Sequence, residues 1–148
     1  MDPHTMILLV EDNHDDEVLT LRALHKNNIG NEIIVARTGE EALDYLFATG
    51  PHAGRDVNAL PQVMLLDLNL PKLDGLGVLR RIRADDRMKL LPIVILTSSK
   101  EDEDLVRSYA LGANSYVRKP VDFAAFTDAV RALGLFWLVL NRVPSRRP

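Results

Sequence analysis

The apolar positions of this chain fall into two kinds of run. Met6 to Val10, Val63 to Leu66 and Ile93 to Leu96 are apolar without interruption, the pattern of strands covered on both faces. Ile33 to Ala36 and Ser115 to Val117 are shorter or weaker and suit the edges of a sheet. Longer stretches of helical period separate these four or five runs, so the chain reads as βα units wound around a parallel sheet. The predicted architecture is α/β: a doubly wound, five-stranded parallel sheet with flanking helices and the three uninterrupted runs at its centre.

The helices carry their own start and stop signals. Thr38-Gly39-Glu40-Glu41 is a capping box, Ala42, Leu43, Leu46 and Phe47 supply an apolar face, and Gly50-Pro51 stops the helix. An earlier helix opens on Asp15, Asp16 and Glu17, charges that the helix dipole favours there, with Val18, Leu21 and Leu24 behind them. Asp74 can cap a helix holding Val78, Leu79 and Ile82. Ser98 or Ser99 can cap another that holds Leu105, Val106 and Tyr109 and ends at Gly112. Pro51 to Pro61 reads as an ordinary surface loop.

The last helix carries more apolar surface than one sheet can cover. One seam runs through Phe123, Phe126, Val130, Leu133, Trp137 and Leu140, and a second through Ala129, Ala132, Phe136 and Val139. A distal half that is apolar nearly all round calls for a second surface, and a protein interface is the favoured reading. Gly134, which costs about 1 kcal/mol in a helix interior, is the weak point of that helix.

Composition narrows the chemistry. A length of 148 residues fits one domain. The absence of cysteine excludes disulfides, thiolate zinc sites, iron–sulfur clusters and a cysteine nucleophile, so a cytoplasmic protein is expected. The longest apolar run, Ala132 to Leu140, is far short of the roughly 18 residues that cross a bilayer, so no membrane association is expected. The N-terminus lacks the pattern of a secretory signal. Arg131, Arg142, Arg146 and Arg147 make too short a basic tail to claim nucleic-acid binding.

Ligands of an open α/β sheet bind outside the carboxyl ends of its strands. The residues that follow the apolar runs are Glu11 and Asp12, Asp67, Thr97 with Ser98 and Ser99, and Lys119-Pro120. Clustered carboxylates without histidine or cysteine form a hard oxygen site that selects Mg²⁺, Mn²⁺ or Ca²⁺, with Mg²⁺ usual where phosphate is involved. A lysine and a threonine hydroxyl beside them suit anionic oxygens. The set reads as a phosphoryl site with Asp67 as the nucleophile.

Ile7-Leu8-Leu9-Val10-Glu11-Asp12-Asn13, Leu65-Leu66-Asp67-Leu68-Asn69-Leu70-Pro71, Leu96-Thr97-Ser98-Ser99 and Lys119-Pro120 resemble the receiver domains of two-component response regulators. The resemblance implies a CheY-like, flavodoxin-like (βα)5 fold, with a receiver domain over 6–141 and terminal tails at 1–5 and 142–148. It implies Asp67 as phosphoacceptor and Mg²⁺ held by Asp12 directly, by Glu11 mainly through water, by Asp67 and by the carbonyl of Asn69. Lys119 would grip the phosphoryl group, with its bond to Pro120 cis, and Thr97 and Tyr116 would form the switch pair.

Leu70-Pro71-Lys72-Leu73-Asp74-Gly75, Ser108-Tyr109 and Phe136-Trp137-Leu138 further resemble the short single-domain regulators that partner phytochrome-type histidine kinases. That likeness implies a stand-alone receiver forming a homodimer through Phe136, Trp137 and Val139, and signalling without substrate turnover. The competing reading is a small aspartyl-phosphate phosphatase or phosphotransferase. Such an enzyme often places a second carboxylate two residues after the nucleophile, where this chain has Asn69. An adaptor retaining only the fold would be marked by a damaged acid cluster, and nucleotide binding would need a glycine-rich motif that is missing. Asp15 and Asp16 read as helix starters rather than ligands, and His4, His14, His25 and His52 show no ligand spacing.

Overall fold

The computed structural model describes residues 6–26, 32–97, 102–118 and 123–133. Five strands, β1 (Ile7–Val10), β2 (Ile33–Ala36), β3 (Val63–Leu66), β4 (Ile93–Thr97) and β5 (Ser115–Arg118), alternate with five helices. The helices are α1 (His14–Lys26), α2 (Gly39–Phe47), α3 (Gly75–Arg83), α4 (Asp102–Ala110) and α5 (Phe123–Leu133). The sheet has the order β2-β1-β3-β4-β5 and every pair in it is parallel. This is the doubly wound α/β architecture expected of the sequence, with its two weaker strands at the edges.

The period of two along each strand divides the core into two layers. Leu8, Val10, Met64, Leu66, Ile93 and Ile95 point to one face, where they meet Ala42, Leu43 and Leu46 of α2 and Val78, Leu79 and Ile82 of α3. Ile7, Leu9, Val63, Leu65, Val94 and Leu96 point to the other, against Ala23 and Leu24 of α1. Strands lined on both faces need no polar side, which is why these runs are continuously apolar.

Caps end the helices where the sequence offers them. Thr38 accepts the amide of Glu41 at 3.0 Å, and Asp74 accepts that of Gly77 at 2.8 Å. The helix α2 closes at Ala48 in a left-handed conformation with φ 56°. Two helical faces lie differently from the expected ones. In α1 the buried residues are Glu17, Thr20, Ala23 and Leu24, while Val18 is 38% exposed. In α4, Ser108 is buried and Tyr109 is half exposed. Apolar spacing alone leaves a short helix free to rotate, and the sheet it lands on sets the buried stripe.

The segment from Pro51 to Pro61 is more than a surface loop. Leu60 belongs to the core, and the Arg55 guanidinium lies 3.7 Å from the centre of the Tyr45 ring while donating to the carbonyls of Tyr45 and Ala59. Its polar and small residues gave no hint of this anchoring, which depends on a neighbouring helix. Ser98, Ser99, Lys119, Pro120, Phe136, Trp137 and Val139 lie outside the described residues, and with them the expected cis bond and dimer seam. Among the described residues no helix is long and apolar enough to cross a membrane.

Candidate metal centre

Parallel pairing brings the carboxyl ends of β1, β3 and β4 to one edge. Val10 pairs with Leu66 and Leu66 with Ile95, so Glu11 and Asp67 emerge side by side just past the apolar strands. Backbone bonds carry the register one residue further, from Glu11 N to Ala36 O at 3.0 Å and from Asp67 N to Val10 O at 3.1 Å. All three central polar side chains are deeply set, with Glu11 1%, Asp67 5% and Thr97 0% exposed.

Buried polar atoms must be satisfied, and Asp67 shows how. Its Oδ1 accepts the backbone amide of Asn69 at 2.9 Å and the hydroxyl of Thr97 at 2.9 Å. The side-chain amide of Asn69 donates in turn to Thr97 Oγ1 at 3.3 Å. The nucleophile expected from the sequence is thus oriented by the residue two positions later and by the end of β4.

A third carboxylate joins the pair. Oxygens of Glu11, Asp16 and Asp67 all lie within 4.8 Å of one another. Two oxygens on opposite sides of a Mg²⁺ ion are about 4.2 Å apart at bonding distances of about 2.1 Å, so the span is of the right scale. At an effective dielectric of 20, each ionised pair at that separation repels by about 3–4 kcal/mol. A divalent cation relieves that repulsion, and the all-oxygen donor set fits Mg²⁺ or Mn²⁺.

Asp16 was expected only to start α1, and the structure gives it a place in the acid cluster as well. The signal was present in its spacing. Asn13 caps α1, its Oδ1 accepting the amide of Asp16 at 3.0 Å, and its own amide donates to Glu11 Oε2 at 3.3 Å. A residue three positions after the cap folds back toward it, and here the cap adjoins the end of β1. Asp12 is exposed at this edge and is not one of the three clustered residues. Asn69 is also exposed, although its amide reaches Thr97.

The rim holds one further charged pair. Glu17, buried in the first turn of α1, is bridged at 3.1 Å by the guanidinium of Arg37 from the end of β2. Tyr116 sits on edge strand β5 opposite Ile95, half-buried against the core layer that contains it.

The chain matches the response regulator receiver domain over residues 7–131. It is 35% identical over 143 residues to the response regulator Rcp1 of Synechocystis sp., across 97% of this chain and 95% of Rcp1. The crystal structure of the Mn²⁺-bound form of Rcp1 gives a TM-score of 0.85 over 94% of this chain and 98% of that one. The phosphorylated cyanobacterial phytochrome response regulator RcpA is 37% identical with a TM-score of 0.87, covering 96% and 99% of the two chains. The bacteriophytochrome response regulator AtBRR is 53% identical with a TM-score of 0.73, covering 93% and 97%.

Proposed function

The chain belongs to the family of response regulator receiver domains, and on that premise we propose that Asp67 accepts a phosphoryl group from a phosphohistidine of a sensor histidine kinase. The observation that carries the reading is the buried Asp67 carboxylate, held at Oδ1 by Thr97 and Asn69 within a cluster shared with Glu11 and Asp16. An Asp67 carboxylate oxygen attacks phosphorus, the phosphorus–nitrogen bond breaks, and the imidazole leaves with the electron pair. Positioning and charge neutralisation are the main needs of such a transfer.

Receiver domains bind Mg²⁺ or Mn²⁺ at this acidic pocket, and Glu11, Asp16 and Asp67 would hold it here, with Asp12 and the carbonyl of Asn69 as the further ligands proposed from the sequence. When bound, the ion neutralises the carboxylates and the incoming phosphoryl oxygens. Lys119, which follows β5 in sequence, is assigned to another phosphoryl oxygen.

Thr97 is the candidate switch. Its hydroxyl now serves Asp67 and Asn69, and a phosphoryl group on Asp67 would compete for it. The Tyr116 ring would then turn inward, biasing the surface built by α4, β5 and α5 between two states. The output is a signal rather than turnover. Asn69 offers no carboxylic acid to protonate a leaving group, which disfavours the phosphatase reading.

The kinase is proposed to be phytochrome-type, because RcpA and AtBRR are phytochrome response regulators by name. The seam through Phe136, Trp137 and Val139 is proposed to form a homodimer, and Trp137→Ala should then lower the mass measured by light scattering at low micromolar concentration. The central reading is tested by titrating beryllofluoride with Mg²⁺. Wild type should bind and Asp67→Asn should not. Equal binding by the two proteins refutes Asp67 as the acceptor.

A further inference from the structure

The first turn of α1 brings one carboxylate up to two others at the strand ends. Asp15, Asp16 and Glu17 follow one another, and the Asp16 carboxylate faces those of Glu11 and Asp67. Repulsion tends to swing this turn away from the strand ends, yet Asp16 points inward. Arg37 pulls on the next residue of the turn from outside the cluster. Its guanidinium grips Glu17 Oε2 at 3.1 Å, on a Glu17 side chain only 9% exposed.

Hydrogen bonds fasten both ends of the anchor, the Arg37 side chain itself being 59% exposed. The amide of Arg37 donates to Glu41 Oε2 at 3.2 Å, and Thr38 Oγ1 accepts the amide of Glu41 at 3.0 Å, which fastens Arg37 to the start of α2. The preceding residue, Ala36, accepts the amide of Glu11. On the far side, Glu17 N donates to Asn13 O at 2.9 Å, inside the capped turn that carries Asp16. The end of β2 therefore holds Glu11 through its backbone and the turn bearing Asp16 through a side chain.

We propose that Arg37, acting through Glu17, is a positioning residue that keeps Asp16 turned into the metal site and thereby sets divalent-cation affinity. The proposal rests on the metal reading given above and makes an opposite prediction to simple charge counting. Removing a cation from the rim of a cation site should tighten binding by Coulomb's law alone. Loss of positioning should weaken it, by about tenfold if Arg37 behaves as outer partners of metal ligands do.

Mn²⁺ titration of the full chain, followed by the spectroscopic signal of the free ion, distinguishes the two. Arg37→Ala should raise the Mn²⁺ dissociation constant about tenfold, and Arg37→Lys should recover part of the loss. In an Asp16→Asn background, Arg37→Ala should change the constant less than twofold. Thermal unfolding in the presence of a chelator checks that each variant is folded, and Arg37→Gln, which also removes the cation, carries the test if Arg37→Ala is not folded. Binding by Arg37→Ala as tight as wild type or tighter overturns the proposal, as does an undiminished effect in the Asp16→Asn background. If wild type itself binds no Mn²⁺, the metal reading falls and takes the proposal with it.

Discussion

Gly75 is where the packing of the fold bears most directly on the chemistry. It opens α3 directly behind the cap Asp74, and its amide donates to the carbonyl of Leu68 at 3.1 Å. A Cβ built there would lie 2.7 Å from Leu68 Cα, 3.0 Å from the carbonyl carbon of Asp67 and closer still to its carbonyl oxygen. These are backbone atoms, so no rotamer change relieves the clash. Restoring ordinary contact at Leu68 requires a movement of about 0.7 Å. The Asp67 amide, bonded to Val10, resists it.

Overpacking of this kind costs about 1–3 kcal/mol. The gain from alanine over glycine, about 0.5–1 kcal/mol, offsets part of it. Gly75→Ala should therefore destabilise by about 1 kcal/mol, which lowers Tm by about 2–4 °C at about 2–4 °C per kcal/mol for a domain of this size. The displaced Asp67 should also bind beryllofluoride and Mg²⁺ at least tenfold more weakly, since misplacements of about 1 Å carry costs of that order or more. Urea and thermal unfolding measure the first effect and a fluoride titration the second. Gly54→Ala is the control, because an added Cβ meets nothing within 4 Å there. If Gly75→Ala matches the control in stability and wild type in binding, the backbone contact behind Asp67 does not position it.

Thr97→Val removes a buried donor to the Asp67 carboxylate while keeping the shape, so the urea midpoint should fall by the equivalent of about 1.5 kcal/mol; an unchanged midpoint would count against the bond. Asp74→Ala deletes the cap on Gly77 N and should cost about 1 kcal/mol by thermal unfolding, with the Mn²⁺ affinity unaffected. Burial pushes the Tyr45 phenol above its usual 10.0, the nearby Arg55 guanidinium opposing the shift. The folded state then holds its proton longer than the unfolded state, so stability is complete below about pH 10 and declines as the pH rises through the folded value. Unfolding measured at pH 9 and pH 11 should show a smaller decline for Tyr45→Phe than for wild type, and equal declines would refute the linkage.

Periodicity and the residues at strand ends determine a good deal by themselves. The strands β1, β3 and β4 were legible because each is buried on both faces and so cannot tolerate a polar residue until its carboxyl end. The same constraint makes Glu11, Asp67 and the terminal residue of β4, Thr97, stand out where the apolar runs stop. Capping at Thr38 and Asp74 was legible because it depends on residues three positions apart. What needed the tertiary structure depends on contacts between distant segments. The inward place of Asp16 follows from a cap on α1 meeting the end of β1. Arg37 and Glu17 are twenty residues apart and carry no local pattern. The rotation of α1 and α4, and the anchoring of Arg55 against Tyr45, are settled by the surfaces those segments land on. Local sequence encodes which faces are apolar and where helices begin, whereas the partner of each long polar side chain is chosen only when the sheet has brought separate turns together.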